Sequence, residues 1–202
     1  MTSFVTAVVC AAFDARTDAA VLAVRDLVVA AGVRLPARPR HRPHLTLAAV
    51  RLHPDQLIGV VELAGALARS AAPIAVSLDH VGTFGRAGAL WLGPAESPDL
   101  CTLQRSVHDT VERSPWASAF GGRTAPGAWV PHCSLATRLD RATLERTRSV
   151  VDAGFSPIDA VVTGLAVVLV GGTGDVGLVE LSGDQPGVVV PVRGAPARRP
   201  VP

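Results

Sequence analysis

The chain has little net charge. Its 202 residues carry 19 basic and 17 acidic side chains, a balance of +2. No strong field advertises a polyanionic partner such as DNA. The basic residues are spread out, apart from Arg34, Arg38, Arg40 and Arg42 and a pair at Arg198 and Arg199. Cysteine is also scarce. Cys10, Cys101 and Cys133 make an odd count without CxxC or CxxH spacing, which argues against a disulfide framework and a cysteine metal site. Free thiols in a reducing compartment are expected. There is no tyrosine, and only five phenylalanines and three tryptophans, so few rings are available for stacking. The opening MTSFVTAVVCAAFDAR has no basic leading segment, and its apolar run is shorter than a membrane span. It reads as a buried strand of a cytoplasmic protein with no membrane partner.

What remains is hydrophobic at 49%, enough to bury a sizeable core. Periodicity and punctuation predict a strand over 3–13, a helix over 15–31 stopped by Gly32, and a loop over 33–43. A strand follows over 44–50, then a helix over 55–71 behind Pro54. A hairpin spans 74–93 around GRAG, and Ser97 caps a helix over 97–114. Residues 114–128 form a loop and 129–137 a strand. Asp140 caps a helix over 141–153, and a hairpin spans 158–182 around GGTGD. Each half thus runs helix, loop, strand, helix, hairpin, with one extra leading strand. This predicts a single domain over 1–186, built of two interleaved α+β lobes related by an approximate two-fold. A Pro-, Val- and Arg-rich tail over 187–202 is expected to be poorly ordered.

The two halves share a phrase. RPHLTLA occupies 42–48 and VPHCSLA occupies 130–136, placing His44 and His132 88 residues apart. Strand alternation sends His44 and Thr46 to one face and Leu45 and Leu47 to the other. It likewise pairs His132 with Ser134, and Cys133 with Leu135. The leucines belong against helices, so histidine and hydroxyl belong on the open face. Two imidazoles and two hydroxyls converging on one point suit a phosphate: hydroxyls donate to its oxygens, while one neutral and one protonated histidine move protons. Six histidines make fifteen pairs, so two such hits arise by chance about once in several hundred sequences at average usage. His41, His53, His80 and His108 are expected to be surface or capping residues.

At these residues the sequence resembles the 2H phosphoesterase superfamily, in particular its bacterial 2′–5′ RNA ligase-like branch. The motifs that carry the resemblance are His44-Leu45-Thr46-Leu47 and His132-Cys133-Ser134-Leu135. The resemblance implies an α+β, bilobal, duplicated fold with two antiparallel sheets facing a central cleft and helices outside. It implies metal-free, cofactor-free chemistry on 2′,3′-cyclic phosphates or 2′,5′ linkages of RNA or nucleotides, or on ADP-ribose cyclic phosphate. His44 and His132 would be the acid–base pair; which of them is the base depends on the direction of reaction, with His132 favoured as base and His44 as acid. Thr46 and Ser134 would hold the phosphate.

Members of this family often place an aromatic or Arg-bearing segment near the motifs. Here Phe84, Trp91 and Trp129 are the aromatic candidates, with Phe84 the best placed to stack on a base. Alternation points Trp129 towards the helices unless the strand bulges. Arg123, in the GGRTAPGA loop, is a candidate phosphate clamp. The expected partners are RNA ends or a small nucleotide, and a monomer is expected. A non-catalytic module binding RNA ends would use the same cleft. A two-histidine metal site is disfavoured, because no carboxylate or cysteine sits at ligand spacing near either motif.

Overall fold

Asp14 marks the first boundary in the computed structural model, which describes residues 3–183 and 189–190. Strand β1 (Val5–Phe13) ends there, and the Asp14 carboxylate accepts the Thr17 N–H at 2.7 Å to start α1 (Ala15–Ala30). Gly32, at φ +88°, stops that helix. Next come β2 (His44–Leu52), a short 3-10 turn over Pro54–Gln56, and α2 (Leu57–Arg69). Strands β3 (Ile74–Phe84) and β4 (Ala89–Pro94) form the first hairpin. The Ser97 hydroxyl accepts the Leu100 N–H at 3.3 Å at the start of α3 (Pro98–Glu112).

The segment expected to be a plain loop over 114–128 instead holds β5 (Ala117–Ser118) and a 3-10 turn over Phe120–Gly122. Strand β6 (Cys133–Ala136) is shorter than the predicted 129–137. Pro131 has no N–H to give a ladder, so regular pairing begins beyond it. Pro43 sets the start of β2 in the same way. Asp140 caps α4 (Arg141–Gly154), and β7 (Ile158–Leu169) and β8 (Asp175–Glu180) make the last hairpin. Val189 and Val190, within the segment set apart as a tail, pair with β8 as β9 (Val189–Val190). The rest of that tail lies outside the described residues.

The described strands form one nine-stranded sheet, seven in the order β5-β2-β1-β7-β3-β4-β6 with β8 and β9 branching from β7, antiparallel at every pairing. At Val162, β7 pairs Phe13 of β1 on one edge and Ile74 of β3 on the other. Beyond that point β8 takes over from β3 along the same edge. The two sheets expected are therefore two arms that share β7. The arms curl until β2 and β6 lie side by side.

The pairing also redraws the repeat. Strand β1 pairs β2 and β7, while β4 pairs β6 and β3. So β4 is the counterpart of β1, and each unit runs strand, helix, strand, helix, strand. The first unit is β1-α1-β2-α2-β3 and the second is β4-α3-β6-α4-β7. Each arm borrows its closing strand from the other unit. The helices cross over too: α1 packs near β6 and α3 on β2, while α2 packs on β7 and α4 on β3. The main core lies under these helices, with Leu45, Leu47, Leu90 and Leu92 fully buried in it. The opposite face of β1 and β2 carries a small second cluster of Val8, Cys10, Ala49 and Val168, against which Phe120 packs.

Candidate functional site

The repeated phrase ends the same way in both copies because both strands bulge at the same place. Val9 pairs Ala48 while Cys10 pairs Thr46, which leaves Leu47 as the extra residue in β2. Leu90 pairs Ala136 while Trp91 pairs Ser134, which leaves Leu135 as the extra residue in β6. Each bulge lets two consecutive residues, leucine then alanine, face the core: Leu47 and Ala48 in one strand, Leu135 and Ala136 in the other. The side chains before the bulge keep the expected alternation. Leu45 and Cys133 are buried, while His44, Thr46, His132 and Ser134 lie on the other face.

Both imidazoles are held by the same local bond. The His44 Nδ1–H donates to the Arg42 carbonyl at 2.7 Å, and the His132 Nδ1–H donates to the Val130 carbonyl at 2.8 Å. A carbonyl can only accept, so each bond places the proton of the neutral ring on Nδ1 and leaves Nε2 with a free lone pair. The intervening Pro43 and Pro131 stiffen the two short loops. Burial lowers both histidines below the usual imidazole value; the carbonyl bonds act against this. Neighbouring His41 and, more weakly, His132 also oppose the protonation of His44, whereas the Asp175 carboxylate favours it.

The motifs meet across the cleft in a crossed fashion. One cavity, of about 520 Å³, is lined by His44 from the first motif and Ser134 from the second. Another, of about 450 Å³, is lined by Thr46 from the first and His132 from the second. Arg25, Arg34, Arg40, Arg42 and Arg138 surround the first cavity. Phe84, Phe120, Trp129, Arg86 and Arg123 surround the second. The structure thus brings together His44, Thr46, His132 and Ser134, with Phe84 and Arg123 beside them.

Phe84 meets the His132 ring edge-on at 4.8 Å, and Trp91 lies 6.0 Å from it. Trp91 lies flat over Gly82, where an added Cβ would fall 2.2 Å from the indole ring. Trp129 packs against the main core, on the expected side, and also lines the second cavity. It precedes β6, and its Nε1–H donates to the Thr46 carbonyl at 2.8 Å. It ties the second motif's loop to the first motif's strand. His41, expected on the surface, lines the first cavity 6.4 Å from the His44 ring. His53, His80 and His108 pair with Asp55, Asp79 and Asp109 respectively.

Sequence reasoning missed Phe120, Arg86, Arg138 and the arginines of the first cavity as site residues. Phe120 and Arg138 are the two non-glycine residues with positive φ among the described residues, at 65° and 62°. Each lines one cavity. Backbone strain of this kind, of order 1–3 kcal/mol, gathers at functional sites. No group of three or more His, Cys, Asp or Glu side chains that could hold a metal occurs among the described residues. Among those residues, no helix is long and apolar enough to cross a membrane.

The sequence profile of the 2′-5′ RNA ligase superfamily matches residues 13–174, which span both motifs. The chain belongs to the 2′-5′ RNA ligase superfamily. Solved structures carry the same fold at low identity. The crystal structure of TT0787 of Thermus thermophilus matches with a TM-score of 0.57 and 20% identity, over 89% of this chain and 100% of that one. E. coli LigT complexed with 3′-AMP matches with a TM-score of 0.54 and 16% identity, over 95% and 97%. LigT in its apo form gives a TM-score of 0.51 and 16% identity, over 94% and 95%. No curated protein matches the sequence. As a member of this superfamily of phosphoesterases and RNA ligases, the chain places its two motif histidines where the duplicated strands meet.

Proposed function

We propose that the protein is a metal-independent phosphodiesterase that acts on 2′,3′-cyclic phosphate or 2′,5′-phosphodiester bonds of RNA or nucleotides. The observation that carries this reading is the matched pair of Nδ1–carbonyl bonds, which leaves the Nε2 of His44 and of His132 available for proton transfer. In hydrolysis, neutral His132 takes a proton from water through Nε2. The water oxygen bonds to phosphorus, and the bond from phosphorus to the ribose oxygen breaks. Protonated His44 gives its Nε2 proton to that leaving oxygen. One water is consumed, and the two histidines exchange protonation states. Thr46 and Ser134 donate hydroxyl hydrogens to the non-bridging oxygens. The nucleoside monophosphate bound by the LigT neighbour is the kind of molecule that opening a cyclic nucleotide leaves behind.

The test is steady-state hydrolysis of a 2′,3′-cyclic nucleotide in the presence of a chelator. Activity is expected to persist. His44→Ala and His132→Ala should each lower kcat by roughly 10²–10⁴-fold, and the double variant should be little worse. A non-catalytic binding module would show no turnover in any of these proteins. Activity that vanished in chelator and returned with a divalent ion would refute the histidine pair as sole catalyst.

A further inference from the structure

The two cavities beside the histidines differ in chemistry as the two ends of a nucleotide do. The one beside His132 offers the rings of Phe84, Phe120 and Trp129, a place for a base, with Arg86 and Arg123 beside them. The one beside His44 offers five arginines and His41, and no aspartate or glutamate lines it. The chain has no lysine; its fixed positive charges are all arginine, the side chain whose planar fork suits phosphate oxygens. Two of the five guanidinium groups are engaged. Arg42 pairs with Asp18 at 2.7 Å and also donates to the Phe13 carbonyl, and Arg40 reaches the Gly171 carbonyl at 3.5 Å. The guanidinium groups of Arg25, Arg34 and Arg138 make no hydrogen bond or ion pair among the described residues. Arg25 is partly buried, and Arg138 sits at a strained φ of 62°, fastened by its backbone N–H to the Ala87 carbonyl. Unpaired charge and strain are thus gathered around a cavity that opens onto His44 and Ser134.

A cyclic mononucleotide would fill the aromatic cavity and the space between the histidines, and leave the arginine cavity unused. We infer that this cavity is a second phosphate subsite, which takes a phosphate of the substrate one nucleotide unit away from the reacting one. The inference rests on the reading that the reacting phosphate sits between His44 and His132. It makes the substrate a nucleotide with at least two phosphates, supplied either by an RNA strand or by a small molecule with a second phosphate.

The experiment compares kcat/KM within pairs of substrates. One pair is adenosine 2′,3′-cyclic phosphate with and without a 5′-phosphate. Another is 2′,5′-linked diadenosine with and without a terminal 3′-phosphate. A short oligoribonucleotide ending in a cyclic phosphate completes the set. The added phosphate in at least one pair, or the oligoribonucleotide relative to the cyclic mononucleotide, should raise kcat/KM about tenfold or more, since each charge-assisted hydrogen bond is worth about that. Arg34→Gln with Arg138→Gln should collapse this ratio. A gain from a single added phosphate as large as that of the oligoribonucleotide identifies the small-molecule source; a gain confined to the oligoribonucleotide identifies a strand. Equal kcat/KM within both pairs and for the oligoribonucleotide would overturn the inference, as would a substitution that lowers both members of a pair alike. Calorimetry of 2′-AMP against adenosine 2′,5′-bisphosphate reads the same subsite without turnover. If no substrate were hydrolysed but the bisphosphate still bound about tenfold tighter through Arg34 and Arg138, the proposed reaction would fall and the subsite would stand. Equal binding of the two would remove the subsite as well.

Discussion

Gly82→Ala is a small change that should reach the histidine pair through Trp91. Gly82 and Trp91 are cross-strand partners, and an alanine Cβ at 82 would lie 2.2 Å from two indole carbons. Ordinary contact begins near 3.4 Å, so the ring must retreat by about 1.2 Å. It has little room. Phe84 lies 5.2 Å from it, His80 5.6 Å and His132 6.0 Å. Overpacking of this kind costs about 1–3 kcal/mol. In a chain of this size that lowers Tm by roughly 2–12 °C. A displaced Trp91 also moves the wall behind His132, and a misplacement of about 1 Å near reacting atoms can cost on the order of 100-fold in rate. The assay is thermal unfolding together with kcat on a cyclic nucleotide. Gly85→Ala is the control, since its added Cβ meets nothing within 4 Å, and it should change neither reading. If Gly82→Ala matched the unaltered protein in both Tm and kcat, the role given to Trp91 would be wrong.

Burial lowers His44 and His132, so the folded protein binds their protons only below about pH 6.5, where the unfolded chain already takes them up. Their contribution therefore costs nothing above that pH and subtracts stability as pH falls through it. Urea unfolding should show His44→Gln to be less acid-sensitive than the unaltered protein. The bell of kcat/KM against pH should lie on the acid side of about 6.5, and a bell centred well above about 7 would contradict the burial argument. Trp129→Phe keeps the ring but loses the donor to the Thr46 carbonyl, so urea unfolding should register about 0.5–1.5 kcal/mol. Cys133→Ala should fold less stably by calorimetry while retaining turnover. Its thiol is pushed up to about 12 by burial, although the His44 backbone N–H acts against that, so it stays neutral.

The motif strands were legible because alternation is a local signal: His44 to Leu47 declare which face is wet, and the structure agrees. The caps at Ser97 and Asp140 were legible for the same reason, since cap and helix are neighbours in sequence. The bulges at Leu47 and Leu135 were not, although the repeated leucine and alanine were their trace. A bulge is a property of two strands, and only one of them carries the motif. The equivalence of β4 with β1 was hidden in the same way. It shows only in pairings such as β1 with β7, between segments so distant in sequence that neither bears a local mark of the other. Phe120 and Arg138 escaped because their importance lies in a backbone twist and a cavity wall, neither of which residue type announces.

The borrowed closing strand bears on how the chain can be made and divided. Neither arm can close until the other unit supplies an edge, and β7 is the last element of the second unit. A ribosome must therefore release residues up to about Leu169 before the first arm is complete. Contacts so distant in sequence slow folding. A chain cut between Phe84 and Ala89 leaves two fragments that each expose an unpaired edge of β1 or β4. Each should be poorly folded alone and fold on mixing, and turnover should return only in the mixture.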